Sequence, residues 1–236
     1  MGPDHPDTLL SVNSMDSLLQ AQGKFSLAEP FCRRALEGCE RVHGRDHFGT
    51  LSAANNMGAL LKMLGKLDVA EPYYRRALEG NERTLGLDHP NTLTSVGNMG
   101  MLLRARGKLD LAEPFLRRTL EGCERTLGRD HPNTFSALSN LGVLLQDQGK
   151  LSLAEPFLRR SLEGRERALG RDHPGTLTAV NNLGVLLQAQ GKLDLSEPFL
   201  RRALEGYERT SGSDHPNTRT AVTNLRAVLK AMKKDK

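Results

Sequence analysis

The sequence has few of the residues that usually build one large hydrophobic core. It contains no tryptophan, aromatic residues make up 4% of the chain, and charged residues make up 26%. Three cysteines, Cys32, Cys39 and Cys123, are too few and too scattered for a disulfide framework or a zinc motif. The sequence also shows no signal-peptide pattern and no apolar run of membrane length. These absences predict free thiols, no membrane contact and a cytoplasmic location.

An internal repeat takes the place of a single core. An Asp-His pair recurs every 42 residues and is followed by proline at every joint but one, where Phe48 stands. Gly-Lys and Arg-Arg pairs recur in the same register. Each unit of such an array packs only on its neighbours, so we expect one solenoid over residues 1–236. The predicted units are residues 4–45, 46–87, 88–129, 130–171 and 172–213, with a C-terminal half-repeat at 214–236.

Each repeat is predicted to contain two helices, because its leucines and alanines recur at helical spacing. Asp172 or His173 is expected to cap the first helix, with Pro174 in its first turn. A Gly-Lys break then separates the helices. The second helix, about 17 residues long, is expected to stop at a glycine such as Gly212. A capping box is predicted to open it, formed by Ser26/Glu29, Asp68/Glu71, Asp110/Glu113, Ser152/Glu155 or Asp194/Glu197.

One pattern within the repeats resembles a known family. Leu141-Gly142 and Leu145 lie on the first helix, and the small residue Ala154 follows nine residues after Leu145. This block is similar to the tetratricopeptide (TPR) repeat, and the 42-residue form resembles the repeats of kinesin light chains. The resemblance implies an all-α fold, a right-handed superhelical solenoid of antiparallel helix pairs. It also implies that glycine and alanine let the helices approach closely, and that the concave groove holds peptides. No long heptad segment is present, so a role joined to a motor chain does not follow.

The two ends of the chain depart from the repeat pattern. Asp16 and Arg226 occupy the position of the first-helix glycine, which predicts polar outer faces at both ends of the stack. The helix that begins at Pro216 is expected to cap the last full repeat. The start at Met1, just ahead of a repeat joint, favours a fragment of a longer array as one possible origin of the chain.

The sequence offers no pattern of catalytic residues and no phosphate-binding glycine loop, so we predict a protein that is not an enzyme and needs no cofactor. Six of the seven histidines fall at repeat joints, one per repeat, and a regular ladder cannot converge on one metal ion. The remaining one, His43, lies near His47, and two histidines make a weak site. The net charge is +5, but the arginines alternate with glutamates at i, i+4 spacing, which argues against nucleic-acid binding.

The groove side of the first helices is therefore the candidate binding surface. A helical wheel places there the positions two before, two after and five after the leucine or methionine that precedes the helix glycine. Asparagines at and beside the first of these could bond a peptide backbone, or could bond within the stack. Lys62 and Arg104 replace glutamine in two central repeats and are candidates for an acidic ligand group. The candidate groove residues are Asn55, Asn56, Lys62, Asn98, Arg104, Asn140, Gln146, Asn181, Asn182 and Gln188; Asn13 and Gln20 are their counterparts in the first repeat.

Two functions remain open from the sequence. The first is a scaffold that binds a peptide or helical segment of another protein in the groove. The second is a structural array that associates with itself through its ends or by helix swapping, or a fragment of a longer array without its own ligand.

Overall fold

A computed structural model describes residues 6–233, with the side chains of residues 6, 7, 9, 10 and 13 outside the description. This part of the chain is entirely helical and contains no strand. Its helices are α1 (Pro6–Ala21), α2 (Phe25–His43), α3 (Phe48–Met63), α4 (Leu67–Leu85), α5 (Pro90–Ala105), α6 (Leu109–Thr126), α7 (Pro132–Asp147), α8 (Leu151–Leu169), α9 (Pro174–Ala189), α10 (Leu193–Ser211) and α11 (Pro216–Met232). The predicted all-α fold of successive helix pairs is confirmed.

The helices fall into two compact units, Met1–Gly122 and Cys123–Lys236. In both units a first helix packs against the second helix that follows it, and that second helix packs against the next first helix. The first helices α3, α5, α7 and α9 have 16 residues each, and the second helices have 18 or 19. The second helices are thus slightly longer than the 17 residues predicted.

The three residues of each Asp-His-Pro joint have different structural roles. His173 is the N-cap of α9, and its Nδ1 accepts a hydrogen bond from the Gly175 backbone N–H at 3.0 Å. Asp172 instead pairs with Arg209 of the next second helix at 2.5 Å. Pro174 occupies the first helical position, where a missing N–H costs nothing. Histidine caps the other four described first helices after α1 in the same way, at His47, His89, His131 and His215. The first pair, Asp4-His5, lies outside the described residues.

The predicted capping boxes of the second helices are wrong. The helices α2, α4, α8 and α10 begin two residues earlier than predicted, and each has a lysine as N-cap with no side-chain cap bond. This start places Asp68 or Ser152 in the second helical position. The glutamate three residues on turns outward to arginine, as Glu155 does with Arg159 at 2.7 Å. The backbone of the Gly-Lys turn closes the preceding helix instead, since the Lys150 N–H donates to the Leu145 carbonyl at 2.9 Å.

Each second helix for which a cap is described ends at the predicted glycine. Gly170, for example, has a φ of +85°, in the region that favours glycine. A buried threonine in the following first helix then holds the joint, since the Thr176 hydroxyl donates to the Gly170 carbonyl at 2.8 Å. The same bond recurs at Thr50, Thr92, Thr134 and Thr218. The first turn of one repeat is thereby joined to the end of the repeat before it.

The glycine of the first helix lies at the close approach that the family resemblance implied. A Cβ at Gly142 would stand 2.7 Å from Leu158 Cγ and 3.4 Å from the Ala154 carbonyl oxygen. Ala154 itself is fully buried. A glycine inside a helix costs about 1 kcal/mol relative to alanine. Glycine stands here despite that cost because the close packing of α7 on α8 leaves no room for a Cβ.

Asp16 was predicted to give the first repeat a polar outer face, and this prediction is wrong. The glycine position faces the second helix of its own repeat, so Asp16 is 5% exposed and lies near Cys32 of α2. Among the side chains that the structure describes, Gln20 alone donates to its carboxylate, through Nε2 at 2.9 Å. Burial raises the pKa of Asp16. Arg226 in α11 is exposed, as predicted, and α11 packs on α10.

Candidate functional site

The first helices of each unit contact one another directly and form a continuous surface within that unit. We call this surface the first-helix face: it comprises the outward residues of α3 and α5 in the first unit, and of α7 and α9 in the second. The helix pairs α3–α5 and α7–α9 are in contact. The positions two and five residues after the reference leucine or methionine are half-buried: Ala59, Lys62, Met101, Arg104, Val143, Gln146, Val185 and Gln188.

The position two residues before that reference residue is not uniformly open. Asn55 and Asn181 are half-buried, but Gly97 and Ser139 are buried. The Ser139 hydroxyl lies 2.8 Å from the Ser161 hydroxyl of α8, so it is part of the contact within the repeat. Among the described side chains, this position is therefore partly open in α3 and α9 and closed in α5 and α7. Asn13, the counterpart in α1, lies outside the described side chains.

Two asparagine pairs link neighbouring first helices. The Asn98 side-chain amide donates to Asn55 Oδ1 at 3.0 Å in the first unit. In the second unit Asn224 donates to Asn181 Oδ1 at the same distance. These bonds form only where the preceding repeat also offers an asparagine. These bonds between helices use part of the hydrogen-bonding capacity of the asparagines.

Four predicted residues of the second unit keep their side-chain amides unpaired. Within the part of the chain that the structure describes, Asn140, Gln146, Asn182 and Gln188 make no side-chain hydrogen bond, and all four are half-buried. Val143 and Val185 lie between them on the same helices. Amide donors and acceptors beside apolar patches are suited to a peptide backbone and its side chains. Asn56 of the first unit is exposed.

Lys62 and Arg104 bring two positive charges together on the first-helix face of the first unit. Burial is the main cause that lowers the pKa of Lys62, and the nearby Arg104 charge lowers it further. The Lys62 ammonium has no hydrogen bond or ion pair with any described residue. An anion placed here would relieve both the desolvation and the repulsion.

One position on the second helices, whose side chain contacts the first helices, was not predicted from the sequence. The Leu-Glu-Gly-x-Glu-Arg motif recurs in every second helix, and only its fourth residue changes, to Cys39, Asn81, Cys123, Arg165 or Tyr207. The Asn81 amide donates to Ser95 of α5 at 3.0 Å, and the Tyr207 hydroxyl lies 2.8 Å from that of Thr178 on α9. Variation at one place in an otherwise constant motif is the signal that could have revealed it.

The exposed side of the second helices carries balanced charge, as predicted. Arg159 and Arg201 pair with the glutamates four residues before them, at 2.7 Å and 2.5 Å. The second arginine of each Arg-Arg pair makes a link that was not predicted. It reaches back to a glutamate of the preceding second helix, in the pairs Arg76–Glu40, Arg118–Glu82, Arg160–Glu124 and Arg202–Glu166.

The histidines and cysteines of residues 6–233 form no group of three or more metal-ligand side chains. His43 stacks on His47 with ring centroids 4.6 Å apart, and His47 also serves as the N-cap of α3. Cys32 and Cys123 are buried, and Cys39 is half-buried. Burial is the main cause that raises the pKa of Cys32 to about 12, which keeps this thiol protonated. None of the helices in this range is apolar over a length that could cross a membrane.

The repeats match a family model described as "Tetratricopeptide repeat" at residues 16–83, 49–125, 91–167, 134–209 and 175–235. The chain therefore belongs to the tetratricopeptide repeat family. A search of curated proteins finds no match.

Solved structures of similar fold include a Podosopora anserina putative kinesin light chain with nearly identical TPR-like repeats, at 19% identity and a TM-score of 0.64. The match covers 87% of this chain and 98% of that one. BtubC (BKLC) from P. vanneervenii is similar at 23% identity and a TM-score of 0.67, over 89% of this chain and 83% of that one. NprR in complex with its cognate peptide NprX matches at 14% identity and a TM-score of 0.73, over 96% of this chain and 61% of that one. At these identities the likeness concerns the fold, and the kinesin light chain resemblance of the repeats is confirmed at that level.

Proposed function

We propose that this protein is a non-catalytic interaction scaffold that binds a peptide or helical segment of a partner protein on its first-helix faces. The observation that carries the proposal is the set of unpaired, half-buried amides Asn140, Gln146, Asn182 and Gln188. Each of these amides has donor and acceptor atoms that no described residue occupies, so they are available to the backbone of a ligand. The NprR structure of similar fold was solved with a peptide, which supports the same use of the fold here.

The two units offer different chemistry to such a ligand. Lys62 and Arg104 would attract an acidic group to the first unit, with Asn55, Asn56 and Asn98 beside them. The second unit would bind mainly through neutral amides, including the free side of Asn181. Hydrogen bonds from amides fix an extended backbone in register, whereas the cations select among sequences.

A random peptide display library panned against the whole protein tests the proposal. The variants would be Lys62→Ala/Arg104→Ala for the first unit and Gln146→Ala/Gln188→Ala for the second. We expect an enriched sequence motif for the unaltered protein and its loss with at least one variant. No enrichment for a folded protein would refute the proposal.

A matched control separates specific binding from a general charge effect. Arg117→Ala/Arg159→Ala also removes two positive charges, but from exposed arginines that pair only with Glu113 and Glu155 on the second helices. This control should retain the enriched peptides. If it loses them as the Lys62/Arg104 variant does, the attraction comes from net charge and not from the first-helix face.

Self-association is a second candidate function, and one observation favours it. The third residue of every second helix is a large apolar side chain that is 51–59% exposed: Leu27, Val69, Leu111, Leu153 and Leu195. These positions recur every 42 residues along the sequence, so the same set of side chains on a second copy of the chain could pack against them. Sedimentation velocity over a hundredfold range of concentration tests this, because a constant sedimentation coefficient would eliminate it.

A further inference from the structure

Arg165 is a charged residue at a position where every other repeat has a neutral one. It is the variable residue of the Leu-Glu-Gly-x-Glu-Arg motif in α8, and the neutral side chains at this place include Asn81 and Tyr207, which are nearly fully buried and hydrogen-bonded. Arg165 is only half-buried. Its charge is thus partly removed from water at a place where the other repeats have neutral side chains.

The hydrogen bonds of Arg165 go only to neutral oxygens. Its Nη2 donates to the Ser136 hydroxyl of α7 at 2.9 Å, and its Nε donates to the Ser161 hydroxyl at 3.4 Å. Its Nη1 has no acceptor among the described residues, and Arg165 forms no ion pair with them. The adjacent carboxylate, Glu166, is already bound to Arg202. A planar guanidinium edge is therefore available to an outside acceptor.

The surroundings of the Arg165 guanidinium disfavour its positive charge. Nη1 lies so close to the first turn of α9 that a Cβ on Gly175 would stand 2.7 Å from it. The N-terminal end of a helix carries partial positive charge, which disfavours a second cation there. Burial also lowers the pKa of Arg165. No nearby carboxylate of the described chain offsets these costs.

Gly175 has no side chain and so leaves the space that the Arg165 guanidinium occupies. The equivalent residue is an asparagine in three other repeats, Asn91, Asn133 and Asn217, and a glycine here. Any side chain at Gly175 would collide with Nη1 in its present place. Glycine also stands at this place as Gly49, after the variable residue Cys39, so it is the combination of Arg165 with Gly175 that is particular to this joint.

We propose that the Arg165 guanidinium, held in place by the Ser136 hydroxyl, forms an anion subsite between α7 and α9 that takes a carboxylate of the ligand. A carboxylate accepts from two guanidinium N–H groups at once, which fits the open Nη1 and the second N–H of Nη2. This inference rests on the proposed function in one respect, since it expects the carboxylate to be an aspartate or glutamate side chain of the bound peptide. The subsite would give the second unit the acidic selectivity that its amides lack.

A small-molecule titration tests the subsite without any peptide. The protein labelled with ¹⁵N-arginine is titrated with the α-amide of N-acetylglutamate, which has one carboxylate, and with N-acetylglutamine amide as the neutral match. We expect the Arg165 Nε–H resonance, assigned with Arg165→Tyr, to shift with the carboxylate at a concentration about 10-fold lower than with the amide. The exposed, paired Arg159 is the internal control and should shift with neither. Equal shifts with both probes, or none with the carboxylate, would overturn the subsite.

Two variants carry the test to peptides from the display library. Arg165→Tyr keeps the packing, because Tyr207 occupies the same place in the next repeat and bonds Thr178, the counterpart of Ser136. Gly175→Asn restores the residue of the other repeats and closes the space. We expect that changing the acidic residue of a peptide to the matching amide weakens its binding to the unaltered protein about 10-fold. The same change in the peptide should not weaken its binding to either variant.

The two proposals fail in different ways. If no peptide is enriched, the proposed function fails and the titration alone decides the subsite. If peptides are enriched but their affinity is indifferent to acidic residues and to Arg165→Tyr, the scaffold stands and the subsite is refuted.

Discussion

Two glycines on α5 allow packing to be separated from helix propensity. A Cβ at Gly100 would stand 2.7 Å and 2.9 Å from the Cδ2 and Cγ atoms of Leu116, and 3.1 Å from Phe115 Cβ. A Cβ at Gly97, three residues earlier, would meet Thr119 at 3.2 Å. Both glycines lie inside the same helix, so replacing either by alanine gains about 1 kcal/mol of helix propensity.

The packing cost should differ between the two sites. Carbon atoms pack at about 3.5–4.0 Å, so Gly100→Ala forces the whole Leu116 side chain to move by close to 1 Å. Overpacking of this kind costs roughly 1–3 kcal/mol. Gly97→Ala needs a shift of only a few tenths of an ångström at Thr119. We therefore expect Gly97→Ala to be neutral or stabilising, and Gly100→Ala to be less stable than Gly97→Ala by about 1–2 kcal/mol.

Urea unfolding followed by far-ultraviolet circular dichroism measures the difference. For a chain of this size the expected gap corresponds to about 2–8 °C in Tm. Because the propensity gain is common to both variants, it cancels in the comparison. A Gly100→Ala protein as stable as Gly97→Ala would refute the view that close approach of α5 and α6 is the reason for this glycine.

Three further predictions concern ionisable groups. Asp16→Asn should stabilise the protein by about 1 kcal/mol at pH 7, since burial raises the pKa of Asp16 and disfavours its charge; in urea titrations this gain should shrink as the pH falls and Asp16 is protonated. The pKa of Glu155 is lowered to about 2 by its hydrogen bonds to Gln190, Arg159 and Lys192. Its stabilisation is therefore complete above the ordinary glutamate range and lost as the pH falls from about 4.5 toward 2, so the urea midpoints of Glu155→Gln and the unaltered protein should converge over that window; a constant gap would contradict this. A thiol reagent at pH 8 should label Cys39 first in the folded protein, because it is the least buried of the three cysteines; mass spectrometry after brief labelling would show Cys32 or Cys123 modified first if the reasoning were wrong.

The repeat itself made most of the fold predictable. A strict 42-residue period, glycines at both helix ends and Leu-Gly blocks at helical spacing are local signals, and the helices follow them closely. Local rules failed where the outcome depended on the start of a helix or on the element packed against it. Asp68 and Ser152 satisfied the spacing of a capping box, but the helix begins at the residue before them. Asp16 looked like a polar end residue, but its position in the repeat faces α2.

The candidate site was predictable only in outline. A helical wheel located the outward side of α7 and α9, where Gln146 and Gln188 are half-buried. It could not show that Asn98 would bond Asn55, because that depends on how two successive first helices are placed side by side. Arg165 was missed for the same reason, since it belongs to a second helix and its partner Ser136 is 29 residues away.

The arginine links between second helices have a consequence for the history of the gene. Arg202 reaches Glu166, and Arg160 reaches Glu124, across the same interval of 36 residues. Removing one 42-residue unit from between them would present Arg202 with Glu124 in place of Glu166, with the same chemistry at the new junction. A recombination event that inserts or deletes a whole unit in frame therefore yields a chain whose junctions are already complementary. The number of repeats can change by such events without any compensating substitution, whereas an insertion or deletion of a few residues would change the interval of the link that spans it.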